Sequence, residues 1–387
     1  MRRLLLVVSG VVVIDTMLFA ALTPLLPDYA DDFGLSKAGA GLLVATYAFG
    51  VLLGAVPAGI VAARIGPKRG AFLGLLVIGA ASVGFALADS AWTLGLARFA
   101  QGLGSALSWA GGLSWLIAAA PRNRRGEMLG TALGAAIFGA LLGPVLGGIA
   151  SLVGTRPAFI GVAVLSVAVV ALGARVPGAA RETPRVAALR RAFGERRYLG
   201  GLWLMVLAAL LFGTMSVLAP LKLDALGWSA VAIGALFFTT AGLEAALNPF
   251  IGRVADRRGA IAPLRLALPV GIAAALALGW ADRAPLLAAL VLVAAVSWGT
   301  FFTPGLALLS EGADRAGLAL PLAYGVMNGA WALGAMTGPA LGGFVGDTVG
   351  DPLAYGIGAL ACAATLLGVI RASPRSGTLD TRVPEVP

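Results

Sequence analysis

The sequence of 387 residues contains no histidine and a single cysteine, and only 12% of its residues are charged. Each scarcity closes off a chemistry. Without histidine there is neither an imidazole proton relay nor a histidine-ligated metal. Cys362 stands in an apolar run, so no disulfide framework or thiolate metal site can form. No nucleophile and base set points to an enzyme, and neither a cofactor nor a metal is implied. Soluble domains carry roughly 25% charged residues. With 59% hydrophobic residues as well, this chain is too apolar to be soluble.

What stands in place of charge is long apolar sequence. A helix of about 20 apolar residues spans the roughly 30 Å hydrocarbon core of a bilayer. Twelve such stretches are read, at 4–27, 39–63, 71–88, 91–118, 127–153, 157–175, 199–221, 230–252, 263–281, 286–309, 317–346 and 352–371. The first follows Arg2 and Arg3 as a signal peptide would, but it runs on to Pro27 and eleven more follow. It is read as a retained helix.

The net charge of +10 would suit nucleic acid if the basic groups were clustered on one face. They are scattered over short loops on one side. With the N-terminus inside, 23 of the 28 lysines and arginines fall on inner segments, seven of them between Arg175 and Arg197. Only Lys37, Arg156, Lys222 and Arg283 fall outside, and Arg98 lies within a stretch. This asymmetry is the positive-inside rule, with both termini cytoplasmic in a cell (inner) membrane. The partners expected are the lipid bilayer and a small molecule, not nucleic acid.

The chain repeats itself. Gly139-Ala-Leu-Leu-Gly143-Pro144-Val-Leu-Gly147-Gly148 recurs as Gly334-Ala-Met-Thr-Gly338-Pro339-Ala-Leu-Gly342-Gly343. Gly59-Ile-Val-Ala-Ala63-Arg64-Ile-Gly66 recurs as Gly252-Arg-Val-Ala-Asp256-Arg257-Arg-Gly259. Both copies lie about half the chain length apart, so the sequence is an internal duplication. Six stretches in each half give the two halves the same orientation. The expected division is an N-terminal six-helix bundle at 1–175, a cytoplasmic linker at 176–198, a C-terminal six-helix bundle at 199–372 and a cytoplasmic tail at 373–387. A short amphipathic helix around Arg185 to Arg197 is expected to lie on anionic headgroups.

These motifs carry a resemblance to the major facilitator superfamily over the whole chain. Gly59 to Lys68 resembles that family's loop signature, and Leu96, Arg98, Gln101, Gly102 and Gly104 resemble its Arg-x-x-Gln-Gly-x-Gly signature. Gly139 to Gly148 is similar to the antiporter signature of its exporters such as the twelve-helix drug/proton antiporters, and Asp15-Thr-Met-Leu-Phe with Pro24-Leu-Leu-Pro27 is similar to the first helix of vesicular amine transporters and bacterial multidrug antiporters. The resemblance implies an all-α membrane protein, with twelve transmembrane helices in two pseudo-symmetric six-helix bundles, acting as a functional monomer. It implies proton-coupled efflux of small amphiphilic organic compounds, with uptake of a sugar or other metabolite as the alternative. The loop acid of the family is Ala63 in the first copy and Asp256 in the second, so any charged latch at the inner gate is lopsided.

Three ionisable residues remain inside the apolar stretches: Asp15, Arg98 and Glu244. A charge at the bilayer centre costs about 2.5–3.5 kcal/mol on insertion scales, so each is expected to face a cavity and not lipid. At 1.5 Å per residue Asp15 and Glu244 both lie near the midplane. They are read as proton carriers, neutral in a dry cavity and ionised when water or a cation arrives, with Arg98 either assisting them or bracing helices. The resemblance places the first, fourth, seventh and tenth helices around the cavity, where Tyr47, Trp109, Phe138, Trp298, Asn328 and Trp331 are further candidates for its wall. An alternative for Glu244 is a packing acid satisfied by Asn248.

Overall fold

The computed structural model describes residues 2–119, 125–179, 186–259, 261–318 and 320–372. The expected tail, 373–387, and residues 180–185 of the expected linker lie outside them. The described residues are helical almost throughout, in the order α1 (Arg2–Ala21), α2 (Leu26–Asp32), α3 (Lys37–Ile65), α4 (Pro67–Ala86), α5 (Ala91–Ala119), α6 (Arg125–Val153), α7 (Thr155–Gly173), α8 (Val186–Ala192), α9 (Arg196–Ala225), α10 (Ala230–Arg258), α11 (Leu264–Trp280), α12 (Ala284–Gly299), α13 (Phe302–Ala316), α14 (Leu320–Thr348) and α15 (Asp351–Ala372). Every apolar stretch read from the sequence falls on these helices. Among the described residues nine helical stretches are long and apolar enough to cross a membrane, and α11 is a shorter apolar helix. The chain is a multi-pass membrane protein.

Two expectations change in detail. The stretch at 286–309 is two helices, because α12 stops at Gly299 and α13 starts at Phe302. The amphipathic segment is only seven residues of α8, ended by a turn in which the Gly194 amide donates to the Arg191 carbonyl. Ala188 and Ala192 of α8 are buried with Tyr198, Leu309 and Ala313. That face therefore packs on protein, and the basic residues Arg190, Arg191, Arg196 and Arg197 are shared between two helices.

The duplication is visible in how helices begin and end. Ser36 caps α3 through the Gly39 amide at 3.4 Å, and Ser229 caps α10 through the Ala232 amide at 3.3 Å. Both helices close on a glycine, Gly66 at φ 99° and Gly259 at φ 91°. That backbone region belongs to glycine almost alone, which accounts for these two motif glycines.

Packing repeats as well. α1 lies along α6 as α9 lies along α14, and α4 contacts α5 and α7 as α11 contacts α12 and α15. In the first seam Gly139, Gly143 and Gly147 form a bare stripe against Val13 and Thr16, Met17 and Ala20, and Ala21 and Pro24 of the α1 segment. In the second, Gly334, Gly338 and Gly342 lie against Val206 and Ala209, Leu210, and Thr214 of α9. Small residues four apart let helix backbones touch where lipid offers no hydrophobic drive for association.

The remaining glycine of each pair faces the other half. Gly343 lies on the Lys37 carbonyl and Gly41 of α3, and Gly41 lies on the Pro339 carbonyl. The counterpart junction brings Gly234 of α10 onto the Pro144 carbonyl and sets Gly148 opposite Val231. An ion pair from Lys37 Nζ to Asp351 Oδ1, 2.5 Å, ties the same end. Toward the other end of these four helices, a side chain added at Gly59, Gly134, Gly252, Gly325 or Gly329 would meet nothing within 4 Å among the described residues. The halves are thus closed at the Lys37 end and apart at the Arg64 end.

A methyl group at Gly338 would overlap the Leu210 carbonyl, whereas one at Gly59 has open space. Gly338→Ala is expected to lower the thermal unfolding midpoint in detergent, through overpacking of about 1–3 kcal/mol. Gly59→Ala should leave it unchanged or raise it, since alanine is the better helix former by about 1 kcal/mol. Equal midpoints for the two variants would show that the α9–α14 seam is not tight.

Candidate functional site

Asp15 lies in the second half of α1 and is 2% exposed. Three side chains from two other helices donate to its carboxylate. The Tyr47 hydroxyl of α3 donates to Oδ1 at 2.9 Å, and the Ser105 hydroxyl and Trp109 Nε1 of α5 donate to Oδ2 at 3.0 and 2.5 Å. Residues 98, 101, 105 and 109 share one face of α5 by helical spacing, which is why a single helix supplies both donors and the arginine.

Arg98 is 1% exposed and does not bond the acid. Its two terminal nitrogens donate to the Leu18 carbonyl at 2.9 Å, to Gln101 Oε1 at 3.1 Å and to the Phe19 carbonyl at 3.3 Å. α1 ends at Ala21, and the carbonyls of a last helical turn lack helical partners and carry partial negative charge. The guanidinium fills that need and so braces α5 to α1. It also lies 4.8 Å from the centre of the Tyr47 ring, so Tyr47 links the cation to the acid. Gln101 is fixed in turn, its Nε2 donating to Ser82 Oγ at 3.3 Å.

An aromatic chain joins this centre to the other half. Phe19 of α1 lies 5.2 Å from Tyr47 and 5.0 Å, edge on, from Trp331 of α14. Asp15, Tyr47, Trp109, Arg98 and Trp331 therefore belong to one constellation. Ser105 and Phe19 are members that motif reading missed; the seven-residue spacing from Arg98 to Ser105 was the available signal for the first.

The second acid is differently placed. Glu244 is half-buried on α10, with its carboxylate against Gly299 at the end of α12. Neither Asn248 nor any other described residue gives it a hydrogen bond or an ion pair, and Asn248 Oδ1 is itself buried without a partner. The asymmetry is plain. Asp15 accepts three hydrogen bonds, and Glu244 accepts none from the described residues.

The other expected wall residues separate. Trp298 is fully enclosed beside Gly271 of α11 and edge on to Phe212 of α9 at 6.1 Å. Phe138 is 55% exposed on α6, and Asn328 is half-buried on α14. Arg64 and Arg257 are exposed at the open end of the molecule, while the Asp256 side chain lies outside what the structure describes.

The family description Major Facilitator Superfamily matches residues 8–321, most of the chain and both acids included. The chain belongs to the major facilitator superfamily. Its members are carriers and not enzymes. A solved D-xylose-proton symporter shares the fold with a TM-score of 0.77 at 17% identity, over 96% of this chain and 98% of that one. A probable sugar efflux transporter of Helicobacter pylori strain G27 is 32% identical over 106 residues, 27% of this chain and 27% of the relative. A probable vesicular acetylcholine transporter-B of Danio rerio is 37% identical over 124 residues, 30% of this chain and 25% of the relative. The chain thus aligns with about a quarter of the length of the curated relatives it matches.

Within this superfamily fold Asp15 and Arg98 are buried and linked through Tyr47. Removing the guanidinium leaves the Leu18 and Phe19 carbonyls without their donor, and a buried polar group left unsatisfied costs about 1–3 kcal/mol. Arg98→Met should lower the unfolding midpoint sharply, and the double variant Asp15→Asn/Arg98→Met should lose clearly less than the two single losses added together. Additive losses would mean that the two groups are energetically independent.

Proposed function

We propose that this protein is a secondary transporter that exports small amphiphilic organic compounds, cations foremost, in exchange for protons. The observation that carries the reading is Glu244: a carboxyl group in the membrane interior that no described residue pairs. A half-buried carboxylate in a membrane interior without donor or cation is disfavoured, so in this reading the group carries a proton or pairs with an incoming cation. The exchange follows. An arriving cation takes the place of the proton, which leaves to the water on that side, and on the opposite side a proton from water restores the neutral acid as the cation departs.

Asp15 and Arg98 then hold the N-terminal part of the cavity in one shape, and Tyr47, Trp109, Asn328 and Trp331 line it. Twelve spans in two bundles, 1–175 and 199–372, rock about the glycine seams, with the linker 176–198 and the tail 373–387 on the cytoplasmic side of the inner membrane. Both termini are cytoplasmic in this reading, so the open Arg64 end faces the cytoplasm and the Lys37–Asp351 pair seals the outside. Asp256, with Arg64, Arg257 and the loop glycines Gly59, Gly66 and Gly252, latches the inner side in the opposite state. The unit of function is a monomer.

A second reading, sugar transport, is supported by what the Helicobacter pylori relative and the solved symporter are named for. Everted vesicles holding a preformed proton gradient separate the two. Tetraphenylphosphonium and related lipophilic cations should discharge the gradient through the wild type, and D-xylose should not. Asp15→Asn and Glu244→Gln should each lose the discharge while the protein remains in the membrane. Discharge by the sugar alone would establish the second reading, and discharge unaffected by Glu244→Gln would remove the role given to that residue.

A further inference from the structure

Glu244 and Gly299 meet where α12 breaks from α13. A methyl group added at Gly299 would lie 2.5 Å from both Cδ and Oε1 of Glu244 and 2.8 Å from its Cγ. Unstrained carbon atoms approach to about 3.5–4.0 Å, so a methyl group there requires the flexible end of the Glu244 side chain to leave its present place. Gly299 is not among the glycines with positive φ, so its backbone does not require glycine. In a helix glycine is less favourable than alanine. The space that it leaves is what the position provides, and the Glu244 carboxylate occupies that space.

Among the described residues no donor near this carboxylate bonds it. The C-terminal end of a helix presents carbonyls and no free amides. The Thr300 amide and hydroxyl both donate back to the Val296 carbonyl, at 3.2 and 2.8 Å, and the Phe301 amide donates to the Trp298 carbonyl at 3.0 Å. Pro304 has no amide, so the Thr300 carbonyl lacks its helical donor as well. Trp298 Nε1, next to Gly299, and Asn248 Oδ1, one turn from Glu244 on α10, are both buried without partners. α6, α9, α12 and α13 pack against α10, and no charged group of theirs acts on Glu244 among the described residues.

We infer that Gly299 is a positioning residue for the exchange step: the notch it leaves at the α12–α13 break seats the Glu244 carboxyl group beyond reach of the protein's own donors, keeping it open to a proton or a cation. This rests on the reading of Glu244 as the exchanging acid. With the seat filled, the side chain must turn away, toward water or toward donors that would compete with the cargo. Shortening the acid by one methylene makes room again. The contact therefore predicts its own suppressor.

The test is proton-coupled uptake of tetraphenylphosphonium into proteoliposomes by Gly299→Ala, Glu244→Asp and the double variant. Gly299→Ala should slow exchange about tenfold, because the displaced acid must return to its place for each exchange. In the Glu244→Asp background the same alanine should have at most a two- to threefold effect, a coupling expected of groups in contact. An equally large loss in both backgrounds would mean that the glycine serves only helix geometry and would overturn the inference. So would a wild-type rate for Gly299→Ala. If Gly299→Ala fails to reach the membrane, insertion must be restored by Glu244→Asp; no restoration is also contrary. Glu244→Gln keeps the two ideas apart. Its exchanging like wild type, or no exchange by the wild type, refutes the role of Glu244 itself, whereas an inactive Glu244→Gln beside an unaffected Gly299→Ala refutes only the seat.

Discussion

The absence of water from the membrane interior is the constraint on which the rest depends. Any group there that can ionise or hydrogen-bond must find its partner in the protein. Asp15 finds three donors on α3 and α5, and Arg98 finds the last carbonyls of α1. The polar set thereby ties three helices into one unit, and through Phe19 and Trp331 it touches the other half. Glu244 obeys the same constraint in the opposite way. Lacking a partner from the described residues, it is left for something mobile to satisfy, and on this difference the functional reading turns.

Glycine supplies the second condition. Lipid drives no apolar association of helices, so contact has to come from close backbones. Within each half the stripes at 139, 143, 147 and 334, 338, 342 make long seams, while Gly41, Gly234, Gly148 and Gly343 serve the junction between halves at one end only. Tight seams inside each half, with the glycine contacts between halves gathered toward one end, are the mechanical arrangement that rocking requires. The Lys37–Asp351 pair adds a charged tie to the closed end, and the side chain of Lys37, 36% exposed, keeps that tie within reach of water. Pairs so placed are worth about 0–1 kcal/mol, weak enough to break in each cycle.

Much of this was legible in the residues themselves. Apolar length located the helices, the duplicated GxxxGPxxGG segments located both seams, and depth along the stretch singled out Asp15 and Glu244. Periodicity could not reveal partners, which depend on how helices rotate against each other. Ser105 looked like any small helical residue, and Asn248 looked like the natural companion of Glu244, yet one bonds the other acid and the second leaves its Oδ1 without a partner among the described residues. Trp298 illustrates the same limit, since an aromatic residue on the tenth stretch faces either the cavity or its neighbours, and here Gly271 leaves it a place among neighbours. The break at Thr300 and Phe301 escaped because both flanks are apolar, although Gly299 and Pro304 mark its edges.

The central claim is that proton and cation compete for one carboxyl group, and binding alone tests it without the complications of transport. In lightly buffered detergent solution, tetraphenylphosphonium added to the purified protein should release about one proton for each cation bound at a pH well below that at which half of the Glu244 groups are protonated, and about half a proton at that pH. Glu244→Gln should bind the cation more weakly and release none. Binding of the cation by the wild type with no proton released, or an equal release from Glu244→Gln, would contradict the account.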